Sequence, residues 1–246
     1  ILFDELQLKK IKKRSTAVEV LEKLKDYHPI IILILEYRHL SKLVNTYLDT
    51  LPNFINPLTN RIHTSFNQCV ASTGRLSSNK PNFQNIPIKT DTGKQIRKAI
   101  KPQNNDDVII SFDYSQIELR ILAHYSNEKN LIDAFQNNVD IHTRTAALIY
   151  GLSKNEVSEN HRRVAKIINY SIAYGAGPYR ISQELKISIK EASNIISNYF
   201  MRYPGIKKYI DEIIKDGLKN EYITTLLGRR RNTINLRSSN RNVSEA

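Results

Sequence analysis

The sequence predicts a helix-rich α+β fold, and three features carry that expectation. From Ile117 to about Tyr203, apolar residues recur at helical spacing with only short breaks. Val108-Ile109-Ile110-Ser111-Phe112 is an apolar, branched run behind the turn-forming Asn104-Asn105-Asp106-Asp107, which predicts a short buried strand. Alternation around Arg61 to Ala71, and a basic turn at Leu227-Gly228-Arg229-Arg230-Arg231, add further short strands. With 246 residues the chain makes one large domain or two small ones, long enough for a proper core.

Taken in order, Lys9-Lys10-Ile11-Lys12-Lys13-Arg14 is a basic loop. Ser15 or Thr16 then caps a helix, with Glu19 completing a capping box after Thr16. Helical patterns run from Ala17 to Lys25 and from about Ile31 to Leu48, ending before Leu51-Pro52. The apolar run Ile30 to Leu35 is too short to span a bilayer and lies inside a helical pattern. Residues 73–87, Thr73 to Ser78 and then Pro81 to Pro87, have little apolar periodicity, so they form an ordered loop or poor helix whose polar side chains need partners. Asp140-Ile141-His142-Thr143 opens a helix, and Ser153 with Glu156 gives a capping-box start to the next. Gly175-Ala176-Gly177-Pro178 stops that helix. Tyr203-Pro204-Gly205 breaks the chain again before a helix to about Lys219.

Composition narrows the partners without naming a function. A formal charge of +13 points to a polyanion, of which nucleic acid is the commonest. One cysteine, Cys69, excludes an internal disulfide and fits a reducing compartment. Nothing resembles a signal peptide. The chain begins at Ile1 and its one methionine is Met201, which points to a piece of something longer.

Two segments carry the chemistry. Arg162, Lys166, Tyr170 and Tyr174 recur at every fourth position and Gly175 follows directly. At 1.5 Å per residue they cover roughly 18 Å of one slowly drifting helix face, about the length of an extended nucleoside triphosphate. Two cations at one end suit phosphates, and two rings at the other suit a base and sugar. Ala165, Ile168 and Ile172 fall on another face and anchor the helix to a core. In the second segment, Asp113 follows the predicted strand and leads into Tyr114-Ser115-Gln116-Ile117-Glu118-Leu119-Arg120. A carboxylate held at the end of a buried strand suits a magnesium ligand; the alternative is a turn or a helix cap.

These strings resemble motifs B and A of the family A DNA polymerases, in the family's order. The resemblance implies a right-hand architecture with a partial thumb over residues 1–52 and palm over 53–116. Fingers then cover 117–205, with the nucleotide helix at 161–175, and an incomplete second palm segment with an antiparallel sheet covers 206–246. It implies that in the intact enzyme Asp113 binds two Mg²⁺ ions, with the backbone carbonyl of Tyr114 as a further ligand. Arg162, Lys166 and His142 would balance the triphosphate, and Lys166 would also protonate the departing pyrophosphate. Tyr170 and Tyr174 would shape the pocket beside Gln116. Glu118 would sit against Tyr170 beneath the sugar and exclude a 2′-hydroxyl. A tyrosine at 170, rather than the phenylalanine of many members, implies ready incorporation of dideoxynucleotides.

Along the minor groove, Arg75, Asn82, Gln84 and Asn85 would contact primer-template DNA, where acceptors recur in every correct pair. Arg229 and Arg230 suit backbone phosphates, or else form a solvated hairpin tip. The Lys9–Arg14 loop is likewise a phosphate contact or a solvated cluster. The expected protein is a cytoplasmic, nucleoid-associated monomer with no membrane contact, extending primers with dNTPs in replication or repair. One departure stands out: the family's motif C, His-Asp-Glu, is absent from the chain. This fragment alone is therefore expected to be inactive. Two rivals remain, a catalytically dead DNA-binding remnant and a single-subunit RNA polymerase, which would lack the Glu118 barrier.

Overall fold

The computed structural model describes residues 1–11, 13–88, 90–104 and 106–240. Lys12 of the basic loop, Asn105 before the predicted strand and the tail from Arg241 to Ala246 lie outside the described residues. The chain divides into two compact units, Ile1–Ile110 and Ser111–Ala246. The fold is α+β and helix-rich, with three small antiparallel sheets among the described residues.

The first unit opens with α1 (Val18–Leu21), continued by a 3₁₀ turn at Glu22–Leu24, and then α2 (Ile30–Leu43), continued by a π turn at Val44–Leu48. Phe3, Leu8, Val20, Leu21, Leu24 and Ile31 form its first core cluster. The expected capping box does not form: Ala17 is the N-cap of α1 and no side chain caps it. Ser15 instead accepts from the Ala17 amide at 3.2 Å, a local bond that competes with capping. The predicted alternation yields two separate ribbons. Strand β1 (Ile55–Asn56) pairs with β2 (Arg61–Ile62), and β3 (Ser65–Asn67) pairs with β4 (Ser77–Asn79) in the register Phe66↔Ser78. Helix α3 (Asp91–Lys98) closes the unit, burying Ile96 with Leu43 and Tyr47.

In the second unit six helices follow: α4 (Ile117–Ser126), α5 (Lys129–Gln136), α6 (Ile141–Tyr150), α7 (Glu159–Ala173), α8 (Pro178–Leu185) and α9 (Ile189–Arg202). Helix α10 (Pro204–Asn220) then leads to the hairpin β5 (Tyr222–Thr224) and β6 (Arg230–Asn232), paired Ile223↔Arg231. One core joins α4 to α10 through Leu119, Leu131, Ile141, Ile168, Ile172, Ile181, Tyr199, Tyr203 and Ile206. Apart from Tyr203 at the α9–α10 junction, each residue comes from the apolar stripe of its own helix, as amphipathic periodicity requires.

The buried strand expected at residues 108–112 does not form. These residues have no regular structure; Val108 is 75%, Ile109 61%, Ile110 67% and Phe112 90% exposed. A strand needs a neighbour for its ladder, and none pairs with this run among the described residues.

Candidate nucleotide site

Helix α7 supplies the site's floor. Ser158 is its N-cap and accepts from the His161 amide at 3.2 Å, while the His161 side chain accepts from the Ser158 amide. The predicted box of Ser153 and Glu156 also forms, but it caps a separate 3₁₀ turn at Lys154–Glu156. The helix ends with Tyr174 as C-cap and Gly175 at φ +72°, a left-handed turn that favours glycine. Ala165, Ile168 and Ile172 are buried, as their spacing predicts. Arg162, Lys166 and Tyr174 lie exposed along the opposite side, and Tyr170 is half-buried between the core and that surface.

Glu118 meets this face from α4, but through a different residue than expected. The Tyr174 hydroxyl donates to Glu118 Oε1 at 3.1 Å, so Glu118 is hydrogen-bonded to Tyr174 and not to Tyr170. Tyr174 is exposed at the helix end, whereas the half-buried Tyr170 ring packs against the edge of the core. Tyr170 still senses both carboxylates. Burial raises its pKa, and the charges of Glu118 and Asp113 add to the rise. Asp113 itself is exposed, just before α4, whose N-cap Gln116 adopts a left-handed conformation at φ +54°. Backbone strain of this kind in a non-glycine residue persists where surroundings enforce it. Gln116 lines a cleft of about 230 Å³ with Ser115, Arg120, Phe135, Asn138, Val139 and Asp140.

Arg162 is already engaged. Its Nε donates to Asp140 Oδ2 at 2.8 Å and its Nη2 to Oδ1 at 3.2 Å, a bidentate pair. Asp140 also caps α6, accepting from the Thr143 amide at 3.0 Å. Burial raises the Asp140 pKa, but the bonds from Arg162 and Thr143 outweigh it and hold the carboxyl well below its usual range. Two residues on, His142 is 2% exposed, and its ring lies 5.8 Å from that of Tyr170. Burial lowers its pKa; the cations Arg162 and Lys166 also lower it, and Asp140 opposes them. Together these effects favour the neutral imidazole at His142.

Sequence reasoning missed the groups behind this ring. Asn169 Nδ2 lies 3.1 Å from His142 Nδ1 and 3.1 Å from Thr145 Oγ1, and Thr145 lies 2.8 Å from the Tyr203 hydroxyl. One signal was available: Asn169 falls on the apolar stripe between Ala165 and Ile172, where a polar residue demands a partner. The Asp140–Arg162 pairing, across 22 residues, left no local trace.

The expected DNA contacts fall in two places. In the first unit, Asn82 Oδ1 accepts from the Gln84 amide and the Ser78 hydroxyl, both at 3.0 Å. Gln84 Oε1 accepts from the Ser78 amide, and its Nε2 donates to the Leu76 carbonyl, both at 3.0 Å. Both side chains thus build the loop in which Arg75 stays exposed, and the Asn85 carbonyl accepts from the Tyr47 hydroxyl. In the second unit, Gly228 at φ +80° turns the β5–β6 hairpin. Arg229 is exposed there, and the Arg230 guanidinium stacks 3.5 Å over the Tyr222 ring. Tyr125 accepts from the Leu226 amide at 2.8 Å and ties the hairpin to α4.

The oxygen donors expected for magnesium are the Asp113 carboxylate and the Tyr114 carbonyl. Among the described residues no group of three or more His, Cys, Asp or Glu side chains could hold a metal ion. One carboxylate with one carbonyl does not fit a pair of divalent ions. No described helix is long and apolar enough to cross a membrane.

The fold is the helix-rich α+β fold of a polymerase domain. The chain superposes with a TM-score of 0.85 and 39% identity on the POL domain of Pol1 from M. smegmatis, solved in complex with DNA primer-template and dNTP. That match covers 99% of this chain and 44% of the other. The chain belongs to DNA polymerase family A, whose family model matches residues 1–246. It is 47% identical over 247 residues to DNA polymerase I of Geobacillus stearothermophilus, and 45% identical over 252 residues to the thermostable DNA polymerase I of Thermus aquaticus. It spans 28% of the first and 30% of the second, under a third of either relative.

Proposed function

We propose that this chain forms the dNTP-binding and part of the DNA-binding surface of a DNA-directed DNA polymerase. The observation that carries the reading is the exposed α7 face, with Arg162, Lys166 and the Glu118-bound Tyr174 in line. The triphosphate lies along Arg162 and Lys166, with Gln116 beside it, and the base and sugar lie against Tyr170 and Tyr174. Arg162 exchanges Asp140 for phosphate, one bidentate partner for another. In the reaction the primer 3′-hydroxyl gives up its proton to solvent as its oxygen bonds to the α-phosphorus, and the bond from that phosphorus to the α,β-bridging oxygen breaks. Pyrophosphate leaves and takes a proton from Lys166. Arg75, Asn82, Gln84 and Asn85 follow the minor groove, with Asn82 and Gln84 also shaping their loop, while Arg229 and Arg230 hold phosphates. The Asp113 carboxylate and the Tyr114 carbonyl alone do not fit a magnesium pair. The chain alone is expected to leave a primer unextended in Mg²⁺, and robust synthesis would refute this. A monomer acting in the cytoplasm on nucleoid DNA completes the reading.

Sugar selection separates this reading from an RNA polymerase. In competition binding to the chain, dATP should displace a fluorescent dNTP more readily than ATP, and Glu118→Ala should narrow that gap. Equal affinity for the two in the unmodified chain would favour the RNA polymerase.

A further inference from the structure

Four buried polar side chains behind the nucleotide helix form a directed chain. Tyr203 and Thr145 are 0% exposed, Asn169 1% and His142 2%. Burial pushes the Tyr203 pKa up to about 12, so its hydroxyl remains a donor at any working pH. It meets Thr145 Oγ1 at 2.8 Å, and Thr145 donates to Asn169 Oδ1 at 3.3 Å. With its carbonyl oxygen so occupied, Asn169 directs Nδ2–H at His142 Nδ1, 3.1 Å away. A nitrogen that accepts cannot carry the ring proton in a neutral imidazole, so the proton belongs on Nε2.

The position of Nε2 completes the geometry. Among the described residues, every sealed side-chain nitrogen or oxygen has a hydrogen-bond partner except the Tyr199 hydroxyl. His142 Nε2 has no such partner, so the small exposed part of the residue includes this atom. The one unsatisfied donor of the ring is thus open to solvent, in a ring that lies 5.8 Å from Tyr170 on the α7 face.

We propose that Asn169 is a positioning residue that holds His142 as its Nε2-protonated neutral tautomer, so that Nε2–H donates to the phosphates of a nucleotide bound on α7. The nucleotide part rests on the reading under Proposed function; the tautomer part does not. In the ¹⁵N-labelled chain at pH 8, long-range ¹H–¹⁵N correlation should show His142 protonated on Nε2. An Nδ1-protonated ring would overturn the proposal without any mutation. Asn169→Leu should remove the tautomer preference and weaken dATP binding about fivefold, the scale of one hydrogen bond. In a His142→Gln background, where the amide donates whatever the neighbour, the same change should cost less than about twofold. Equal losses in both backgrounds would mean that Asn169 acts only by packing, and would overturn the assignment. Nε2-protonated His142 in a chain that binds no dATP would overturn the nucleotide reading and leave Asn169's hold on the tautomer standing.

Discussion

Asp140 shows how one residue serves two neighbours, since it caps α6 and grips Arg162 of α7. Asp140→Asn keeps a capping oxygen but loses the charge, and should cost up to about 1 kcal/mol, the size of a partly exposed ion pair. Its folded-state pKa is depressed, so its stabilising effect is present above the ordinary carboxylate range and fades as pH falls below about 4. Urea unfolding at pH 7 and again at low pH should show the variant's deficit shrinking in acid; an unchanged deficit would contradict the ion-pair account. Tyr199 and Tyr203, whose rings are 4.7 Å apart, make a second contrast at this scale. The Tyr199 hydroxyl is buried without a partner, whereas that of Tyr203 meets Thr145. Tyr199→Phe should be neutral or slightly stabilising and Tyr203→Phe should cost about 1 kcal/mol, because only the second breaks a bond. Thermal melts of both variants check the order. Residues of this kind were the least legible in the sequence: spacing placed Arg162 and Lys166 on one face, but nothing local tells Asp140 or Asn169 what it will touch.

Among the elements, periodicity and punctuation were good guides where a helix could bury its own stripe. The helices from α4 to α10 follow their apolar spacing, and Asp140 and Gly175 mark ends where their chemistry says they should, whereas the Ser153 box marks a 3₁₀ turn and Ser158 the start of α7. The 108–112 run failed for a physical reason: a strand's burial depends on a partner that its own residues do not encode. The start of α10 carries a constraint that sequence hides. The Gly205 amide donates to the buried Glu128 carboxylate at 2.7 Å, and Glu128 also accepts from the Asn130 amide, so one acid joins α5 to α10. A Cβ on Gly205 would come within 2.8 Å of Glu128 Oε2 and 2.9 Å of the Ser126 carbonyl. Gly205→Ala should therefore destabilise by about 1–3 kcal/mol despite the gain in helix propensity. A variant as stable as the parent would show that the junction gives way freely.

For the whole molecule, the charge of +13 suits a polyanion, and the partner proposed for it is duplex DNA. Duplex binding should weaken linearly on a log–log scale with salt, and Arg229→Ala should reduce the slope by about one phosphate contact. An unaltered slope would make the hairpin tip a solvated feature. The central claim concerns α7, and dATP titration of Lys166→Ala against the unmodified chain tests it most directly. With far-UV circular dichroism unchanged, the loss of one charge-assisted phosphate contact should weaken binding about tenfold. Equal affinity in the two proteins would mean that the triphosphate does not lie along this helix.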